Sequence, residues 1–80
     1  MRLTVHTFGI ARDICGGAVL TIDLPDAATV ADLHRHLAEQ FPRLAQLASF
    51  LLAVNAEYAP HDLPLSPGDE IAIIPPVSGG

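Results

Sequence analysis

The chain has 80 residues, half of them apolar, with a formal charge of −5 and four arginines as its only fixed cationic side chains. That length holds one small domain, and no stretch reaches the length needed to span a membrane. An acidic chain without lysine is a poor fit to nucleic acid, and the single Cys15 cannot form an internal disulfide.

In chain order, residues 2–8 predict a strand, with Leu3, Val5 and Thr7 on one face and Thr4, His6 and Phe8 on the other. A longish loop through Arg12 and Asp13, ending at a Gly16-Gly17 turn, leads to a second strand over 18–24, its Leu20, Ile22 and Leu24 pointing inward. Thr29 reads as a helix N-cap, and Asp32 three residues on suits a capping box. Val30, Leu33, Leu37 and Phe41 then recur at helical spacing as a buried stripe, and Pro42 closes the helix. Residues 43–50 fit either a short second helix or a compact loop. Leu51 to Asn55 is a third strand, Asn55-Ala56-Glu57 a tight turn, and Ser66-Pro67-Gly68-Asp69 a turn into a last strand over Glu70 to Ile74.

The chain ends Pro75-Pro76-Val77-Ser78-Gly79-Gly80. The prolines fix φ and remove backbone donors, so the last strand cannot continue past Ile74. Gly79 and Gly80 carry no Cβ and suit a channel too narrow for other residues. Extended, residues 75–80 reach roughly 20 Å. They divide the chain into a folded domain, 1–74, and a flexible C-terminal tail, 75–80, that presents a carboxylate.

Three features together, the Val54-Asn55 turn, the Leu65-Ser66-Pro67-Gly68-Asp69-Glu70 turn into an apolar strand, and the Pro-Pro-Val-Ser-Gly-Gly ending, resemble the ubiquitin-like sulfur carriers. Within them, the Pro-Pro-Val lead-in is similar to the small subunits of molybdopterin synthases. The likeness is tight over 51–80 and, over 1–41, rests on the order of strands and helix. It implies an α+β, β-grasp (ubiquitin-like) fold: a mixed sheet of four to five strands, first and last parallel neighbours, with one main helix on one face.

The resemblance implies a role for Gly80. A carboxylate is a poor electrophile until ATP converts it to an acyl-adenylate, from which sulfur displaces the nucleotide to leave a thiocarboxylate. The chain has no phosphate-binding loop, so it is expected to bind no cofactor itself, and an E1-like adenylating enzyme uses the ATP and magnesium. A sulfurtransferase supplies the sulfur. The Gly80 thiocarboxylate, led by Pro75, Pro76, Val77, Ser78 and Gly79, then enters the large subunit of the synthase and donates sulfur to a cyclic pyranopterin monophosphate, building a dithiolene in a heterotetramer. On this reading the chain is a cytoplasmic, sulfur-carrying subunit whose active site lies on its partner, with neither nucleic acid nor membrane involved. Three alternatives stand beside it: a carrier for thiazole synthesis or transfer RNA thiolation, a ubiquitin-like protein modifier, and a purely structural interaction domain.

Phe8 and Ile74 fall opposite the inward residues of their strands, with Tyr58 just past the Asn55 turn, so an apolar patch is expected at the root of the tail. The resemblance makes Phe8, Tyr58 and Ile74 contacts for both partners, although Ile74 replaces a bulkier aromatic common there; Arg12 is assigned to the polar rim. A satellite core under residues 43–50 is the competing place for Phe8 and Ile74. No metal is expected. His34 and His36 are two apart on a helix and diverge, His6 and His61 lie apart from them, and all four read as solvated surface residues. Cys15 reads as a half-buried loop thiol, and Asp69 and Glu70, adjacent on a turn and a strand, do not make an acid/base pair.

Overall fold

The computed structural model of the chain describes residues 1–46 and 50–74. Alternation of apolar and polar residues produces five strands: β1 (Arg2–Thr7), β2 (Val19–Asp23), β3 (Leu51–Val54), β4 (Glu57–Tyr58) and β5 (Glu70–Ile74). They form one mixed sheet in the order β2-β1-β5-β3-β4. β1 and β5 run parallel with Val5 opposite Ile71 and Thr7 opposite Ile73, and the other pairs are antiparallel. This is the expected β-grasp arrangement. The expected tail, residues 75–80, and residues 47–49 of the 43–50 segment lie outside the described residues.

The main helix, α2 (Val30–Gln40), begins where the sequence marks it. The Asp32 amide donates to the Thr29 hydroxyl at 3.4 Å, and the Thr29 amide donates to the Asp32 carboxylate at 2.9 Å. This reciprocal pair satisfies two donors at the helix start that would otherwise lack partners. Val30, Leu33 and Leu37 are buried against Leu3, Val5, Ile71 and Ile73 of the sheet. Each such side chain contributes about 1.5–3 kcal/mol. Phe41 is half-buried at the helix end, and Pro42 opens the short α3 (Pro42–Ala45), which adds Leu44 to the core and settles residues 42–45 as helix.

One expectation is corrected here. The loop through Arg12 and Asp13 is a helix, α1 (Gly9–Cys15), which buries Ala11 and closes on Gly16 at a left-handed φ of 79°. With only seven residues and one buried side chain it offers no periodic stripe to read, yet the Gly16 and Gly17 amides both return to the Arg12 carbonyl. Leu20, Ile22 and Leu24 point inward as expected, Ile22 buried in the core and Leu20 and, just past β2, Leu24 packed partly buried against it, because β2 is an edge strand.

The Asn55-Ala56 turn between β3 and β4 has positive φ at both residues, 53° and 70°, as a two-residue type I′ hairpin requires. Asn55 also ties this turn to β5. Its backbone amide donates to the Glu70 carbonyl at 2.7 Å, its Oδ1 accepts from the Glu70 amide at 3.1 Å, and its Nδ2 donates to Asp69 at 3.1 Å. Asp69 in turn accepts from the Ser66 amide at 2.8 Å. The two turns carrying the sequence signature are therefore one hydrogen-bonded buckle at the start of β5, and Asp69 serves this buckle rather than an acid/base pair.

Candidate functional site: the outward face of the sheet

The helices cover one face of the sheet and leave the other open. Strand register decides what that open face displays. Leu3, Val5, Leu52, Val54, Ile71 and Ile73 point into the core, so their neighbours in each strand point out. Across the sheet, His6 pairs with Val19 and with Ala72, Ala72 with Ala53, and Ala53 with Tyr58. One step further along, Leu51 pairs with Ile74. Phe8, extended at φ −137° and ψ 153°, follows the Thr7–Ile73 pair and so stands level with Ile74. At the opposite end the outward residues are polar: Arg2 pairs with Asp23, and Thr4 with both Thr21 and Glu70.

The outward face is thus graded, polar where β5 begins and apolar where it ends. Phe8 is 54% exposed, Leu51 50%, Val19 53% and Tyr58 70%, which sets a strip of large apolar side chains across the sheet, crossed by His6. Ile74 is half-buried within it. Phe8, Tyr58 and Ile74 therefore gather on one face at the end of β5, and the competing satellite core does not form around Phe8. Val19 and Leu51 belong to the same strip and went unassigned in the sequence reading; the alternation Leu51-Leu52-Ala53-Val54 and the pair Val19-Leu20 carried the signal. Arg12 is exposed on α1, beside the strip in sequence, and makes no ion pair among the described residues.

The middle of the face is low. Two shallow hollows, of about 320 and 290 Å³, share Ala53, Ala56 and Ala72 as their floor. Phe8, His6 and Glu70 edge the first, Tyr58 and Ile74 the second. A larger concavity of about 370 Å³ lies between the β2–α2 loop and α2, lined by Asp26, Asp32, Arg35 and Glu39 among others. It borders Leu24, at the opposite end of the strands from Ile74, and takes no part in this face.

His34 is not a solvated side chain. Its ring stacks on Phe50 with centroids 3.9 Å apart and planes 2° from parallel, and its Nε2 lies 3.1 Å from the Phe50 carbonyl oxygen. β4 ends at Tyr58 and the chain turns off through Pro60, so the imidazole serves the carbonyl that the short ladder leaves open. His61 lies 5.8 Å from His34, ring to ring, and His36 points elsewhere, to Gln40. Among the described residues no three of His, Cys, Asp and Glu gather as metal ligands. Cys15 lies on α1 rather than in a loop, and burial raises its thiol above the ordinary range, which disfavours the nucleophilic thiolate. Among the described residues no helix is long and apolar enough to cross a membrane.

Comparison with known proteins agrees with this geometry. The chain is 43% identical over 83 residues to the molybdopterin synthase sulfur carrier subunit of Dictyostelium discoideum, covering 99% of this chain and 96% of that one. Among solved structures it is similar to SAMP1, small archaeal modifier protein 1, of Haloferax volcanii, with a TM-score of 0.84 and 26% identity over the whole of both chains. A complex of subunits 1 and 2 of the molybdopterin-converting factor of Helicobacter pylori contains a chain similar to this one, with a TM-score of 0.68 and 27% identity over both full lengths. The ThiS family model matches residues 5–80, nearly the whole length, and the chain belongs to the ThiS family.

Proposed function

We propose that the chain is a sulfur carrier, the small subunit of a molybdopterin synthase. The observation that carries this reading is the full-length likeness to the Dictyostelium carrier subunit. The apolar strip at the end of β5 supports it, because the strand's sequence continues from there into Pro75-Pro76-Val77-Ser78-Gly79-Gly80.

In this reading a separate adenylating enzyme, using ATP and magnesium, joins the Gly80 carboxylate to AMP with release of pyrophosphate. A sulfurtransferase persulfide displaces AMP, and a thiol then cleaves the resulting acyl disulfide, leaving the thiocarboxylate on Gly80 and a disulfide on the donor. The outward face docks on the large subunit while the tail reaches that subunit's active site. There the thiocarboxylate sulfur bonds to a carbon of the cyclic pyranopterin monophosphate in place of an oxygen substituent, and water then hydrolyses the resulting thioester, leaving the sulfur on the pterin and a carboxylate on Gly80. Two deliveries complete the dithiolene. Phe8, Tyr58 and Ile74 supply apolar contact, Arg12 a polar rim contact, and the chemistry belongs to the partner. Two large and two small subunits form the assembly, acting in the cytoplasm.

Intact-mass measurement of the protein from its native cell tests this. Replacement of one oxygen by sulfur at the C-terminus is expected, together with loss of dithiolene formation when Gly80 is deleted and an unchanged urea midpoint for the truncated chain. The likeness to SAMP1 favours a second reading, conjugation of Gly80 to other proteins; adducts on many proteins and no sulfur on the free chain would establish that reading instead.

A further inference from the structure

We propose that the outward face is a two-part socket. An apolar seat over Ala53 and Ala72 takes one large apolar side chain of the large synthase subunit, and the Glu70 carboxylate beside it pairs with an arginine or lysine of the same partner surface. The identity of the partner rests on the function proposed above; the chemistry of the socket rests on this chain.

Alanine is a poor strand residue, and the middle of a sheet face ordinarily gains from larger β-branched or aromatic side chains. Here two alanines face each other on adjacent strands, Ala53 opposite Ala72, with Ala56 at the neighbouring turn. All three floor both hollows, while the side chains around them are large: Phe8, Tyr58 and Ile74. A low floor inside an apolar rim is a shape for receiving a side chain, and anchors that dominate interfaces fill such desolvated pockets.

Glu70 supplies the second part. It lines the same hollow as Phe8 and Ala72, and its backbone is pinned by Asn55 on both its amide and its carbonyl. Among the described residues no ion pair involves Glu70; Arg2 is matched to Asp23 and Arg35 to Asp32. Arg12 lies on α1 and Arg43 on α3, so neither belongs to the strands that form this face. The remaining ionisable side chain lining the hollow is His6. A carboxylate on a pinned backbone at the edge of an apolar seat, on a chain of net charge −5, complements a partner group that is cationic and adjacent to its apolar anchor.

Calorimetric titration of the full chain with the large subunit and, separately, the adenylating enzyme encoded in the same genome tests the socket. Ala72→Leu fills the seat and is expected to weaken binding to the large subunit by roughly a hundredfold. Glu70→Gln is expected to weaken it by roughly tenfold and to flatten its dependence on salt. Arg2→Gln, at the polar end, is expected to bind as wild type does, and all three are expected to keep the wild-type urea midpoint within a small margin. If wild type binds the large subunit and Ala72→Leu and Glu70→Gln bind equally well, the socket is overturned and the proposed function stands. If wild type binds neither protein, both fall. Concentration-dependent dimerisation of the free chain, abolished by Ala72→Leu, would assign the seat to a second copy and overturn the proposal as stated.

Discussion

Replacing Asn55 probes the buckle that joins the two signature turns. The native residue sits at φ 53°, accepts from the Glu70 amide and donates to Asp69. Asn visits this left-handed region readily, whereas alanine pays about 1 kcal/mol or somewhat more for it. Each partly solvated hydrogen bond lost costs about 0.5–1 kcal/mol. Asn55→Ala loses on both counts and is expected to destabilise by about 2–3 kcal/mol. Asn55→Gly keeps the backbone geometry but loses the two bonds and adds chain entropy to the unfolded state, for about 1.5–2.5 kcal/mol and less than the alanine variant loses. For a domain of this size, each kcal/mol lowers Tm by about 4–8 °C. Urea unfolding followed by far-UV circular dichroism measures the series, with equal m-values as the check that the unfolded states match. A glycine variant as stable as wild type would refute the role of the side-chain bonds. Equal losses for alanine and glycine would refute the contribution from φ.

Other outcomes follow from the same geometry. Ala56, at φ 70°, carries a strain that glycine lacks, so Ala56→Gly is expected to raise stability by roughly 0.5–1 kcal/mol in the same urea assay. His34→Leu keeps an apolar body beside Phe50 but leaves the Phe50 carbonyl without its imidazole partner. A loss of about 1–2 kcal/mol is expected, with faster amide exchange across β3 than across β1. The Thr29 amide and hydroxyl, with Arg35 nearby, hold the Asp32 carboxyl below its ordinary 3.8. A carboxyl depressed on folding stabilises above its unfolded pKa and loses that contribution as pH falls through the folded value. The difference in urea midpoint between wild type and Asp32→Asn is therefore expected to persist at pH 7 and vanish towards pH 2.

Most of the fold was legible because its signals are local and strong. Alternation marked β1, β3 and β5; Thr29 and Asp32 marked the start of α2, and Pro42 its end. The first helix was hidden because it buries only Ala11, and a seven-residue helix held by tertiary contact leaves no stripe to count. Alternation also gave the inward face of the second strand, but not that the strand lies at the sheet edge, where Leu20 is only partly covered. In the candidate site, Phe8 and Ile74 followed from strand parity, Tyr58 from its place just past the Asn55 turn, and the contact role of all three from the family resemblance. Alternation could have placed Val19 and Leu51 outward, but joining them and the alanine floor into one surface required knowing which strands are neighbours, which no single strand reveals. His34 was misjudged for a related reason: helix spacing shows that it diverges from His36, but its partner Phe50 is sixteen positions away in the chain.

The strand order has a mechanical corollary. β5, whose C-terminal end leads into the tail, is hydrogen-bonded on both flanks, to β1 and to β3. Tension applied along the tail loads both ladders in shear, so many rungs resist at once. An edge strand pulled sideways would instead unzip rung by rung. On the function proposed above, in which the terminus is drawn into a partner's cleft, the central strand of the sheet is the mooring that such handling calls for.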